Sequence, residues 1–204
     1  MLLFLDVVLP LPEFSLIEEN KIIFTKKITK NHKEKLSDHI FEIFIDIENK
    51  FNILNKLKKV AITAGPGSYT SLRVGSSFIS GLKISRNLNF FQITPSDIIK
   101  FKSNSLSEKR IGIYIQSANS QNFFCEINQY GQITYTKIEN NDFVLPSHIK
   151  KIFYNFKKLD AKKNILNQVK FSFAEEIIVN QKFINFSTKQ NVEPIYVSNN
   201  TVLN

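Results

Sequence analysis

A strand-like segment, Leu57 to Thr63 (LKKVAIT), passes without a spacer into Ala64-Gly65-Pro66-Gly67-Ser68 and then into a long helical stretch. Strand, glycine-rich turn and helix in immediate succession belong to layered α/β folds, where a helix must turn back over the sheet it leaves. Glycines permit positive φ and close backbone approach, and a helix N-terminus offers free N–H groups to an anion. Two readings of Gly65 to Ser68 follow, a structural turn and an anion site. The P-loop pattern needs a lysine followed by Ser or Thr after its second glycine, and none stands here; the spacing GxGxxG is also missing.

The helix after the turn carries a strip of small residues. Ser77, Gly81 and Ser85 lie four apart, with Ser76 and Ser80 beside them, so one side of the helix lacks bulk. A glycine inside a helix costs roughly 1 kcal/mol relative to alanine, and both Gly75 and Gly81 call for a compensating contact. Two contacts remain open, the preceding helix of the same chain or the helices of another one.

Upstream, residues 2 to 8 (LLFLDVV) read as a buried strand, and 13 to 18 and 21 to 27 as two more joined by a tight turn at Glu19 and Asn20. From Lys33 the period changes: Leu36, Ile40, Phe44, Ile47 and Phe51 recur at three- and four-residue steps, which predicts an amphipathic helix over 34 to 50. Downstream come a strand at Asn89 to Ile93 and a helix opened by Thr94 and Pro95. The polar stretch Lys102 to Glu108 divides the chain into lobes 1–103 and 104–204. The second lobe again begins with strands, Arg110 to Gln116, Gln121 to Asn128 and Gln132 to Ile138, the last two turning at Tyr130-Gly131. Beyond Leu145 the pattern blurs. Two lobes that each start as a β-meander and continue with alternating helices predict a mixed α/β duplication of the actin and sugar-kinase type.

At 204 residues, 43% hydrophobic and 12% aromatic, the chain has enough apolar side chain for a core and is no disordered tail. The single Cys125 forms no internal disulfide, and its strand neighbours Phe124 and Glu126 indicate packing rather than nucleophilic chemistry. No apolar run approaches the roughly 20 residues of a membrane span, and no basic-then-apolar leader opens the chain; a cytoplasmic protein is expected. His32, His39 and His148 show no metal-ligand spacing. The net charge of +9 points either to a polyanion partner or to codon-driven composition, since only Arg73, Arg86 and Arg110 accompany the many lysines. The densest cluster is Lys150, Lys151, Lys157, Lys158, Lys162, Lys163 and Lys170.

Three segments resemble one family. The run AGPGSYTSLRVGSS is similar to the GPGS(F/Y)TGxR(I/V)G signature of the TsaB (YeaZ) family, with Gly65, Pro66, Gly67, Ser68, Thr70, Arg73 and Gly75 in register and Ser71 where glycine is usual. His32-Lys33-Glu34-Lys35-Leu36 resembles its HSExL segment, and Glu193-Pro194-Ile195-Tyr196-Val197 its (K/E)PxYLR segment, with Ser198 in place of arginine. The resemblance implies a two-lobed actin-like (ASKHA) fold without catalysis of its own. It also implies a scaffold whose first two helices pack on a TsaD-like catalytic subunit, to which a TsaE-like ATPase then binds. The assembled complex transfers threonylcarbamoyl to N6 of adenosine 37 in tRNA, with nucleotide held by the partner subunits and none by this chain. On this basis His32, Leu36, Ile40, Ser77, Gly81 and Ser85 are the expected partner interface, and a homodimer through the same helices is expected when the chain is alone.

The departures bear on chemistry. An actin-type ATPase needs small or hydroxyl residues after the first strand, because backbone N–H groups there hold phosphate. Asp6 is instead followed by Val7, Val8 and Leu9, against the family's Asp-Thr-Ser, and the second lobe reads Gln116-Ser117-Ala118 where relatives carry Asp-Ala-Arg. Neither a catalytic residue nor a metal is therefore expected. The rival readings are a stand-alone RNA-binding protein using its lysines and, further off, an ATP-dependent phosphotransferase of the same fold.

Overall fold

A computed structural model describes residues 1–31, 33–106, 110–128, 130–139, 143–160, 167–188, 191–198 and 201–203. The first sheet is built from β1 (Leu2–Asp6), β2 (Glu13–Glu18), β3 (Lys21–Lys27), β4 (Lys59–Thr63) and β5 (Asn89–Ile93), in the order β3-β2-β1-β4-β5. The first three form an antiparallel meander, and β4 and β5 continue beside β1 in parallel. Glu19 and Asn20 both take left-handed φ, 50° and 60°, the geometry of a two-residue hairpin turn. Central β1 is buried along its whole length, whereas edge strand β3 is largely exposed and ends in Lys26 and Lys27, charges that discourage pairing with another chain.

The second sheet repeats the plan. Its strands are β6 (Ile111–Gln116), β7 (Asn122–Ile127), β8 (Ile133–Ile138), β9 (Lys151–Tyr154), β10 (Gln168–Lys170) and β11 (Thr201–Leu203), in the order β10-β9-β6-β7-β8-β11. Strands β6 to β8 form the meander, and β9 and β10 run parallel beside β6. The duplication expected from the sequence is thus present strand for strand, with β11 added antiparallel to β8.

Helices α1 (Leu36–Phe51), a short α2 (Ile53–Lys56), α3 (Tyr69–Arg86), α4 (Pro95–Ser105) and α5 (Phe173–Val179) complete the fold. Leu36, Ile40 and Ile47 form the buried stripe of α1, and Asn52, at φ 50°, ends the helix in the left-handed conformation. Thr94 and Asp97 make a reciprocal capping box at the start of α4, with Pro95 in the first turn. The division between residues 103 and 104 falls inside α4. That helix packs on β6 and β7, and its Ser96 N–H donates to the buried Tyr135 hydroxyl at 3.2 Å. Lys102 of α4 pairs with Glu176 of α5, and α5 also packs on β1 and β3. One continuous apolar core joins the lobes, from Leu3, Phe14 and Ile79 through Ile98 to Ile113, Phe123 and Phe173.

Candidate partner face and interlobe cleft

Three elements converge on the glycine-rich turn. Gly65 takes φ 107°, and a Cβ there would lie 2.5 Å from the Ile195 carbonyl oxygen; only glycine satisfies both constraints. Ile195 N–H donates to the Ala64 carbonyl at 2.6 Å, and Tyr196 packs on Tyr69 with ring centroids 4.9 Å apart. Two segments quoted for one resemblance, 130 residues apart in sequence (Gly65 to Ile195), are therefore in contact. Gly67 lies against the second lobe, with Ser117 Oγ 3.0 Å from where its Cβ would be. Ser68 caps α3, and its own N–H donates to Ser117 Oγ at 3.1 Å. With the Ser68 N–H on Ser117 and the Ala64 N–H donating to the Ile93 carbonyl at 3.0 Å, the geometry is that of a structural turn that ties the lobes and the C-terminal segment together.

Arg73 is exposed, its guanidinium 4.2 Å from the Tyr69 ring centroid, and Thr70 is exposed beside it. From there the exposed side of α3 runs through Ser77 and Gly81 to Ile84 and Ser85. Nothing lies within 4 Å of a Cβ built on Gly81, so the small-residue strip is open there, while at Ser77 it borders a surface groove shared with Ile40 and Phe41 of α1. The two helices meet through Phe78, whose ring lies 5.4 Å from Phe41 and 5.2 Å from Phe44. Phe41 is 64% exposed, Ile45 54% and Ile84 78%.

Two residues expected at the partner interface are mostly buried, although Ile40 also borders the groove between α1 and α3. Leu36 and Ile40 lie on the core side of α1, because the periodic stripe that predicted the helix is the stripe that packs inward; the outward apolar residues are Phe41 and Ile45. His32 lies outside the described residues. Gly75 is buried, and a Cβ on it would lie 2.5 Å from Val7 Cγ1 and 3.2 Å from Ile62 Cδ1; its compensating contact is the sheet of its own lobe.

At the end of β1 the backbone folds back on Asp6. The Val8 and Leu9 amides donate to its Oδ1 at 3.0 and 3.2 Å, and the Thr63 hydroxyl joins them at 3.0 Å. Thr63 Oγ1 accepts the Val7 N–H at 2.9 Å. The amides that would cradle a phosphate in an ATPase loop are occupied by this carboxylate. Asp6 is 3% exposed, and burial, reinforced by neighbouring Glu13, raises its carboxyl from 3.8 to about 7 against the Thr63, Val8 and Leu9 hydrogen bonds. Across the cleft the backbone N–H and C=O of Gln116 pair with the Asn155 side chain at 2.8 and 2.9 Å. A cavity of about 240 Å³ lies between Asp6, Glu13 and Lys27 of the first lobe and Asn155, Phe156 and Lys170 of the second.

Cys125 is buried, and burial pushes its thiol well above the usual range. His39 lies 3.7 Å from Glu34 and 3.6 Å from Glu42, and His148 2.9 Å from Glu126. Among the described residues no three His, Cys, Asp or Glu side chains form a group able to hold a metal ion. Among them, too, no helix is long and apolar enough to cross a membrane. Lys150, Lys157, Lys158 and Lys170 are exposed and Lys151 half-buried; Lys162 and Lys163 lie outside the described residues. The reading of the sequence missed Glu13, Lys27, Asn155 and the Tyr69–Tyr196 contact, each of which depends on pairing between distant segments.

The family model described as TsaD, tRNA N6-adenosine threonylcarbamoyltransferase, matches residues 20–196. The chain belongs to the TsaD family. YeaZ from Pseudomonas aeruginosa superposes with a TM-score of 0.61 at 12% identity, over 96% of this chain and 99% of that one. A second structure is described as an uncharacterized protein from Pseudomonas aeruginosa with similarity to peptidase YeaZ. It superposes with a TM-score of 0.55 at 15% identity, over 96% and 98%. No curated protein matches. At these identities the likeness is one of fold: this TsaD-family chain has the two-lobed actin-like architecture of YeaZ, as its motifs implied.

Proposed function

We propose that this TsaD-family chain is the partner subunit of a tRNA threonylcarbamoyladenosine (t6A) synthesis complex, docking a TsaD-like catalytic subunit through α1 and α3 without performing the transfer itself. The observation that carries the reading is the outward face of those helices. Phe41, Ile45 and Ile84 stand exposed around the open surface at Ser77 and Gly81, and large apolar side chains beside small ones suit close helix packing by a partner. The engaged amides at Asp6 support the non-catalytic part. The catalytic subunit, a TsaE-like ATPase and tRNA complete the proposed assembly, with nucleotide on the partners.

Size-exclusion chromatography with light scattering tests this on the chain mixed with the TsaD-like subunit of the same organism, with and without the TsaE-like ATPase and ATP. A stable heterodimer that recruits the ATPase is expected, and Gly81→Leu should abolish it while circular dichroism stays unchanged. Persistent separate peaks for the unmodified chain would sink the reading. RNA retained by the chain alone in a gel-shift assay would then favour the lysine surface as the working site. Magnesium-dependent ATP turnover by the purified chain would contradict the non-catalytic assignment.

A further inference from the structure

The cavity between the lobes carries unclosed charge of both signs. Register places Asp6 directly opposite Glu13 on β2, and Glu13 directly opposite Lys27 on β3. Like charges paired across strands destabilise a sheet, so two carboxylates side by side at a cavity wall call for an explanation. All three hydrogen bonds to the Asp6 carboxylate end on Oδ1; among the described residues Oδ2 takes none, although the residue is 3% exposed and lines the cavity.

The opposite pole lies on the far side of Glu13. Lys27 and Lys170, one from each lobe, both act electrostatically on Glu13, yet among the described residues neither makes an ion pair with it within 4.0 Å. One glutamate offsets one of the two ammonium groups, which leaves about one net positive charge there and a negative charge at Asp6 once that carboxyl ionises, above about pH 7. The rest of the lining is mostly apolar, with Leu9, Pro10, Phe156 and Phe171 beside the polar Asn155 and Ser172. A volume of about 240 Å³ falls below the roughly 300 Å³ at which drug-sized ligands begin to fit.

We propose that this cavity binds a small zwitterion of amino-acid size, its ammonium group donating to Asp6 Oδ2 and its carboxylate held by Lys27 and Lys170. The ligand's apolar part lies against Phe156 and Phe171. Asp6 supplies an acceptor already fixed by three donors, so little is lost in ordering it. The site needs both lobes, because Lys27 and Lys170 come from different sheets, and binding therefore bridges them.

The test uses the full chain alone and so stands or falls separately from partner docking. Melting temperature is followed with each of the standard L-amino acids at millimolar concentration, and the strongest is taken to isothermal titration calorimetry. Its amine analogue lacking the carboxylate and its acid analogue lacking the amine are titrated beside it. At least one amino acid should bind, and each single-pole analogue should bind about tenfold or more weakly. Asp6→Asn and Lys170→Met should each weaken binding by a similar factor with circular dichroism unchanged. No binding across the panel overturns the proposal. So does binding that ignores both substitutions, or tighter Asp6-dependent binding of ATP than of any amino acid.

Discussion

Gly75 and Gly81 occupy the same helix less than two turns apart, and they answer to different neighbours. At Gly75 the missing side chain admits Val7 and Ile62 of the first sheet, with Val7 Cγ1 2.5 Å from where a Cβ would stand. At Gly81 the missing side chain meets nothing within 4 Å. The inward glycine is explained by the fold of the chain itself. The outward one is not, and its helical cost of roughly 1 kcal/mol is what the proposed partner would offset. One residue type in one element thus reports packing on one side and an unmet contact on the other.

The largest effect should come from the inward face. Gly75→Leu drives a branched side chain into β1 and β4, where Val7 is stiff at χ1 and the sheet is fully buried. A loss of about 3 kcal/mol or more is expected in urea denaturation, enough to leave a marginal domain largely unfolded. A soluble variant of unchanged midpoint would mean that α3 shifts freely on the sheet, and the contrast with Gly81 would collapse.

A smaller effect should follow one residue from Val7. Burial and Glu13 raise the Asp6 carboxyl from 3.8 to about 7. A group with a raised folded-state value contributes its full stability below the unfolded value and loses it as pH rises through the folded one. Wild-type stability should therefore fall between about pH 4 and pH 7, with the upward displacement of Glu13, which burial causes and the facing ammonium groups of Lys27 and Lys170 oppose, adding in the same direction. Asp6→Asn keeps an oxygen acceptor for Val8, Leu9 and Thr63 but does not ionise. It should match wild type near pH 4 and exceed it by about 2 to 4 kcal/mol at pH 8, read as denaturation midpoints at the two pH values. Equal pH profiles for the two proteins would show that the cavity hydrates Asp6 well enough to keep it an ordinary carboxylate.

The contrast also marks what the sequence could disclose. Strand and helix identities were legible wherever a period ran long enough: β1 to β3, α1 and the meander β6 to β8 stand within a few residues of their expected places. The turn at Gly65 was legible as a special backbone, but its partner Ile195 was not, because no local pattern says which distant carbonyl approaches a glycine. The proposed docking face was half legible. Periodicity identifies the apolar stripe of α1, and that stripe, Leu36 and Ile40, packs inward; the exposed Phe41 and Ile45 break the period and go unnoticed until the sheet fixes which side is inside. The cavity was not legible at all. Its row of Asp6, Glu13 and Lys27 follows from strand register across a six-residue connection (Val7 to Pro12), and Lys170 comes from a region where no period is visible.

The smallest effect is the most discriminating test of the outward face. Gly81→Ala adds one methyl group at a helical position with no neighbour within 4 Å, so nothing resists it and the backbone entropy of glycine is removed from the unfolded chain. The isolated protein should gain about 0.5 to 1 kcal/mol, a rise of about 2 to 4 °C in melting temperature for a chain of this size. Affinity for the catalytic partner should fall at the same time, because a helix that approaches glycine closely has no room for the methyl. Opposite signs from one substitution separate a surface kept small for a partner from one that is merely unfilled. A gain in stability with undiminished association would show that the partner does not reach Gly81. The docking face would then have to be sought further along, toward Phe41, Arg73 and the Tyr69–Tyr196 pair.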